Sequence, residues 1–238
     1  MDVRVTPTPT LNGDIGALSS KNYTTRYLLV AALAEGTSTI YYPAHSEDSD
    51  AMRRCIRDLG AVVDEDEEKI VITGFGRHPR PVEQLDVGNA GAVLRFLMAV
   101  ASLCPDVTFV NRYPESLGKR PHMDLIESLG KMGVEIEHNE GKLPIRIKGG
   151  QPKGGRIQVS GNISSQFLSA LLFLTPLLEE DSEIEVLHDL KSKVVVGQTL
   201  EVLQQAGIII HADEDYMRFR VPGRQRYEAK TYTVQGDY

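Results

Sequence analysis

Positive charge is scarce in this chain. Its 238 residues carry 26 Lys and Arg against 33 Asp and Glu, a net charge of −7. That balance leaves no electrostatic footprint for nucleic acid or an anionic membrane. Any anion site must therefore come from a local cluster of basic residues. Cysteine is nearly absent too. Cys55 and Cys104 show no metal-type spacing and no disulfide framework. Such sparse use fits a reducing, cytoplasmic compartment, and Cys55 reads as a core position on an amphipathic helix. Met1 to Gly13 has no apolar h-region, so no signal peptide is expected there. The longest apolar stretch, Phe167 to Leu178, is interrupted by Ser169, Thr175 and Pro176, and it is too short to span a bilayer. There is no Walker loop and no G-x-G-x-x-G; Gly74-Phe75-Gly76 lacks the third glycine and the following helix. The six histidines show no H-E-x-x-H spacing, and each is expected in a solitary surface or loop role. The acidic run Asp64 to Glu68 lacks the alternating ligand spacing of a calcium loop and predicts a solvated turn.

What the chain does have is one pattern three times over. An amphipathic stretch closes at Leu59-Gly60-Ala61-Val62-Val63, at Met132-Gly133-Val134-Glu135-Ile136 and at Ala206-Gly207-Ile208-Ile209-Ile210. These glycines are 73 and 74 residues apart, and the strand-ending glycines Gly74, Gly149 and Gly223 keep step at 75 and 74. So long a period predicts a whole βαβ-type module built three times around one core. Each module opens with a helix that is apolar nearly all round, at Tyr27–Leu33, Val93–Val100 and Phe167–Leu174. Helices without a polar face belong inside a core. Each then has a helix with a single apolar stripe: Met52, Cys55, Ile56, Leu59; Leu125, Ile126, Leu129, Met132; and Val196, Leu200, Leu203. Strands are expected at Thr39–Tyr42, Ile70–Thr73, Val107–Val110, Ile145–Lys148, Ile184–Leu187 and Phe219–Val221. Met1–Gly13 and Tyr227–Tyr238 fall outside the three modules.

The segments preceding the buried helices are small and polar: Ser19-Ser20-Lys21-Asn22, Gly88-Asn89-Ala90-Gly91 and Asn162-Ile163-Ser164-Ser165-Gln166. Helix capping accounts for Ser20, Asn89 and one of the two serines. It does not account for Lys21, whose cation opposes the helix dipole, nor for Gly91 in a first turn. Anion binding at the helix N-termini accounts for both, because free N–H groups and a neighbouring cation favour phosphate or carboxylate.

At these segments the chain resembles the 5-enolpyruvylshikimate-3-phosphate synthases. Lys21-Asn22-Tyr23-Thr24-Thr25-Arg26 is similar to the family's Lys-Ser-x-Ser-x-Arg segment. Gly88-Asn89-Ala90-Gly91 with Arg95 is similar to its Gly-Asn-Ala/Ser-Gly segment. Glu115-Ser116-Leu117-Gly118-Lys119-Arg120-Pro121 looks like its Arg-Pro loop, and Ser164-Ser165-Gln166 and Ser192-Lys193 match two more. The resemblance covers the first half of such an enzyme. It implies an α+β fold, an inside-out α/β prism of three β-α-β-α-β-β repeats over residues 14–228, as one of two domains. A strand over 1–13 would then belong with the interdomain or second-domain region, and 229–238 would begin the crossover to that second domain. The resemblance also implies transfer of the enolpyruvyl group from phosphoenolpyruvate to the 5-hydroxyl of shikimate 3-phosphate, with release of phosphate and no metal or organic cofactor. Lys21 would be catalytic and lie between the substrates. Lys21, Asn22, Arg26, Ser164, Ser165, Gln166 and Ser192 would hold shikimate 3-phosphate; Lys21, Gly91, Arg120 and Gln166 would hold phosphoenolpyruvate; Arg95 would support the site. Asn22, Thr25, Ala92 and Val195 depart from the family's usual Ser, His, Thr and aromatic residue. Two other functions compete: a UDP-N-acetylglucosamine enolpyruvyl transferase, whose Lys-Asn pair Lys21-Asn22 resembles, and a non-catalytic half-enzyme that only binds anions. The isolated chain is expected to fold but turn over negligibly.

Overall fold

The computed structural model describes residues 4, 10 and 12–237. The strand expected over 1–13 lies mainly outside them. The first unit runs α1 (Lys21–Leu33), β1 (Ala34–Glu35), β2 (Thr37–Tyr41), α2 (Glu47–Asp58), β3 (Val62–Glu65) and β4 (Lys69–Thr73). The second runs β5 (Gln84–Leu85), α3 (Gly91–Ala101), β6 (Val107–Phe109), α4 (Met123–Lys131), β7 (Glu135–Asn139) and β8 (Lys142–Lys148). The third runs β9 (Gly155–Ser160), α5 (Ser165–Leu174), β10 (Ser182–Leu187), α6 (Lys193–Gln205), β11 (His211–Ala212) and β12 (Arg218–Val221). Two short strands follow, β13 (Tyr227–Glu228) and β14 (Thr231–Thr233).

Three four-stranded sheets share one strand order, β14-β2-β4-β3, β5-β6-β8-β7 and β9-β10-β12-β11. The first two strands of each are parallel and the remaining pairs antiparallel. Alternation along the strands turns one face inward. In the third sheet Ile184 lies opposite both Ile157 and Phe219, all three buried. Inside the sheets sit α1, α3 and α5, buried along nearly their whole length as their largely apolar runs require. Helices within and sheets without make the inside-out α+β arrangement.

One boundary falls elsewhere than the sequence suggests. The opening strand of the first sheet is β14, so Thr231–Thr233 belongs to the three-unit body rather than lying beyond it. The edge of β2 offers unpaired backbone groups that β14 satisfies. Tyr232 also buries its ring against Tyr27, centroids 4.7 Å apart. Next to it, Ser19 bridges to Gly236, Ser20 N–H donates to Gln235 O and Asp237 N–H to Leu18 O. After α6, Ile208–Ile210 forms no strand, and β11 begins at His211. Gln225 takes the place of a ladder there, accepting from Ile209 N–H and donating to Ile209 O.

The periodic glycines have two physical reasons. Gly60, Gly133 and Gly207 have φ of 112°, 90° and 82°, a region that costs most other residues energy. Each ends an amphipathic helix in a Schellman motif: Gly60 N–H donates to Arg57 O and Ala61 N–H to Ile56 O, and α4 and α6 repeat the pair. Gly74, Gly149 and Gly223 are needed for space. A Cβ on Gly74 would stand 2.3 Å from Ala34 O, on Gly149 2.1 Å from Ser102 O, and on Gly223 2.6 Å from Glu180 O. In all three units the turn leaving the last strand packs on backbone carbonyls just beyond the buried helix.

Candidate functional site

Side-chain hydrogen bonds tie the buried helices to their neighbours near their starts: Arg95 of α3 donates to Gln166 of α5, and Arg26 of α1 donates to Thr199 of α6. The helix starts themselves are largely uncapped. Ser20 precedes α1 without capping it, and its hydroxyl is buried and unpartnered. Asn89 is not the cap of α3; that position is Ala90, and Asn89 Oδ1 accepts from Leu117 N–H, bracing the Arg-Pro loop. Only Ser164 caps as expected, accepting from Gln166 N–H at 3.2 Å. Ser192 opens α6 in the left-handed region, φ 56°, also without a side-chain cap. Strain of this kind clusters at ligand sites. Free N–H groups at α1, α3 and α6 leave the anion reading stronger than capping.

Two clusters form. In the first, Gly91 begins α3, and a Cβ there would lie 3.1 Å from Arg120 NH1 and 3.7 Å from Arg95 NH1. Both guanidiniums thus reach the same spot at a helix N-terminus, and glycine leaves them uncrowded there. Arg95 donates to Gln166 Oε1 and lies over the Phe167 ring, 5.2 Å from its centroid. Burial, and then the neighbouring Arg120, pull Arg95 down to a pKa of about 10; it remains a cation at neutral pH. Among the described residues no carboxylate pairs with Arg95 or Arg120. Two cations, a helix dipole and no counter-ion make a receptor for an anion.

In the second cluster Arg26, only 1% exposed, donates from Nε to Thr199 Oγ1 at 2.9 Å and from NH1 to Asn22 O at 2.9 Å. NH2 points to Val195 O at 3.4 Å. Burial lowers its pKa to about 10, and it lies 5.1 Å from the Phe96 centroid. So Arg26 on α1 stacks on a phenylalanine of α3, and Arg95 on α3 stacks on one of α5. Three of Arg26's five N–H groups are engaged, all by neutral oxygens. Thr199 in turn shares a hydrogen bond with Ser169.

Lys21 stands apart, its Nζ 2.8 Å from Asp48 Oδ2. Among the described residues no hydrogen bond or ion pair joins it to Arg120 or Gln166. Thr25, at the family's His position, is buried and returns its hydroxyl to Lys21 O. Nothing in the sequence assigned Thr199, Ser169 or Asp48 to the site. The first two were legible as polar residues inside apolar helix faces, whereas Asp48 reads as an ordinary first-turn acid. His122 overturns the surface or loop role expected of it: it stands at the N-cap position of α4 without a side-chain capping bond, and it is wholly buried.

Residues 5–238 match the family model described as EPSP synthase (3-phosphoshikimate 1-carboxyvinyltransferase). The chain is 48% identical over 237 residues to the 3-phosphoshikimate 1-carboxyvinyltransferase of Deinococcus radiodurans, covering 100% of this chain and 54% of that protein. It is 38% identical to the enzyme of that name from Methanosarcina mazei, covering 96% of this chain and 53% of the relative. It therefore spans about half the length of the curated relatives it matches. Its fold is similar to that of the EPSP synthase from Acinetobacter baumannii, with a TM-score of 0.81 at 24% identity, over 94% of this chain and 50% of the other. Among the described residues no helix is long and apolar enough to cross a membrane.

Proposed function

This chain belongs to the EPSP synthase (3-phosphoshikimate 1-carboxyvinyltransferase) family, and on that premise we propose that it forms the half of an enolpyruvyl transferase that receives both substrates. The observation that carries this reading is the cluster on Gly91, with Arg120 and Arg95 at the open start of α3 and Gln166 tied to Arg95. Phosphoenolpyruvate places its phosphate there. Arg120 and the α3 N–H groups neutralise it, while Gln166, held by Arg95, orients it. Shikimate 3-phosphate lies on the other cluster, with its phosphate on Ser164, Ser165 and Ser192 and its carboxylate on Asn22 and the free donors of Arg26. Lys21, released from Asp48, stands between the two. The reaction joins the 5-oxygen of shikimate 3-phosphate to the enol carbon of phosphoenolpyruvate and breaks that carbon's bond to phosphate. The cations serve it by stabilising charge on the departing phosphate.

The relatives are about twice as long as this chain, and we assign the second wall of the cleft to a C-terminal domain. The chain alone then leaves the reacting groups in water and turns over negligibly. The UDP-N-acetylglucosamine reading gains no support from the relatives named above. Calorimetric titration with phosphoenolpyruvate, in the presence of shikimate 3-phosphate, tests the assignment. Arg120→Ala should weaken binding by about 1.5–3 kcal/mol, the worth of one charged hydrogen-bonding contact. Unchanged affinity in that variant sinks the phosphate site.

A further inference from the structure

One buried group beside the Gly91 cluster has no part in the chemistry so far. His122 follows the Arg120-Pro121 pair, and its ring is 0% exposed. Among the described residues neither ring nitrogen has a hydrogen-bond partner. A neutral imidazole carries one donor and one acceptor, and burying both unmatched is costly and uncommon. The charges that act on it are the guanidiniums of Arg95 and Arg120. Arg95 Nε is itself buried and unpartnered. An acceptor without a donor and a donor without an acceptor thus occupy the same corner of the interior. Burial, followed by those two cations, presses the His122 pKa down to about 4, so the ring is neutral at neutral pH.

We propose that His122 is a positioning residue of the phosphate subsite, a neutral acceptor that takes the Arg95 Nε–H when ligand is bound and so sets where Arg95, Gln166 and Arg120 stand. The inference rests on the reading of this cluster as the phosphate subsite. Arg95 is already held at NH1 by Gln166 and on its face by Phe167; an acceptor at Nε fixes the edge that remains. The chemistry of the acceptor matters. A carboxylate here would neutralise Arg95 and Arg120 and compete with the incoming phosphate. An aliphatic side chain would leave Nε–H unsatisfied. A neutral imidazole holds the guanidinium without cancelling its charge.

The test uses the full protein that carries this chain, with His122→Leu, His122→Gln and His122→Asp, and Arg120→Ala as control. Affinities for phosphoenolpyruvate and shikimate 3-phosphate are measured separately, beside the thermal midpoint. His122→Leu should weaken phosphoenolpyruvate binding about tenfold, as expected for one lost hydrogen bond to a charged group, with shikimate 3-phosphate affinity unchanged. Gln, a neutral acceptor, should restore most of the loss, and Asp should bind phosphoenolpyruvate more weakly than Leu. Wild-type phosphoenolpyruvate affinity in His122→Leu, or equal loss for both substrates, overturns the proposal. Should the Leu variant not fold, Gln and Asp decide: tight binding by Gln and weak by Asp supports it, and equal binding contradicts it. If Arg120→Ala also binds normally, the subsite reading itself has failed; if only the His122 variants bind normally, that reading stands and this one does not.

Discussion

Gly149→Ala adds one methyl group at a place where the fold has no room for it. Gly149 follows β8, and its φ lies outside the left-handed region, so an alanine there has only a steric problem. The new carbon would stand 2.1 Å from Ser102 O, 2.6 Å from Ser102 C and 2.7 Å from Cys104 O. All three are backbone atoms of fully buried residues, and Gly150 N–H bonds to Ser102 O at 2.7 Å. A carbon and a carbonyl oxygen ordinarily approach to about 3.3–3.6 Å. The turn and the end of α3 must therefore part by roughly 1 Å inside the core. Overpacking of this kind costs about 1–3 kcal/mol or more, and alanine recovers roughly 0.4–1 kcal/mol by stiffening the unfolded chain. The contact is tighter than most, so the net loss should be about 2 kcal/mol, or roughly 4–8 °C in melting midpoint for a chain of this size. Gly130→Ala is the control: it lies in α4, exposed, with nothing within 4 Å of an added carbon. There alanine should gain about 0.5–1 kcal/mol. Thermal and urea unfolding of the two variants, with Gly74→Ala and Gly223→Ala beside them, measures the difference. The three repeat-related variants should all be destabilised. A Gly149→Ala protein that melts with the wild type would refute the packing of these glycines on the helix ends.

Other expectations follow from single buried groups. Among the described residues Tyr232 Oη is buried without a partner, whereas Tyr27 Oη donates to Gln205 at 2.9 Å. Tyr232→Phe should be neutral or slightly stabilising in urea unfolding, and Tyr27→Phe should cost about 0.5–1.5 kcal/mol. Thr199→Val strips Arg26 Nε of its partner at nearly constant volume, and should cost roughly 1–3 kcal/mol. His122 gives a pH signature. Its folded pKa of about 4 lies below the ordinary 6.5, so between those values the unfolded chain takes up a proton that the folded chain refuses. Stability should fall as pH drops from about 6.5 to 4, by up to about 3 kcal/mol from this group. His122→Leu should flatten that part of the pH–stability curve; parallel curves for variant and wild type contradict the buried neutral imidazole.

The glycine period was legible because each glycine answers a backbone demand that no other residue meets, so residue type alone reports the geometry. The buried helices were legible for the same kind of reason: a helix with apolar residues all round has nowhere else to go. The place of β14 was not, because its pairing with β2 joins residues about 190 apart and local pattern carries no partner identity. Gly91, Arg120 and Gln166 could be nominated from their motifs, and the structure brings Gly91 and Arg120 together, with Arg95 beside them holding Gln166. The hold on Arg26 was hidden, because local pattern does not say that Thr199, 173 residues away, faces it. Asp48 was hidden behind a sufficient bland role at the start of α2. A histidine after an Arg-Pro pair looks like a loop residue, and only the packing of α4 puts it inside.

We propose that this chain supplies the substrate-binding half of an enolpyruvyl transferase, with the phosphate of phosphoenolpyruvate at the start of α3. Steady-state phosphate release from phosphoenolpyruvate, by these 238 residues alone and by the same residues joined to the C-terminal half of a relative, tests it most directly. The account predicts no release from the chain alone, and from the joined protein a release that requires shikimate 3-phosphate and is lost in Arg120→Ala. Robust turnover by the chain alone, or release from the joined protein that ignores shikimate 3-phosphate or Arg120, would contradict it.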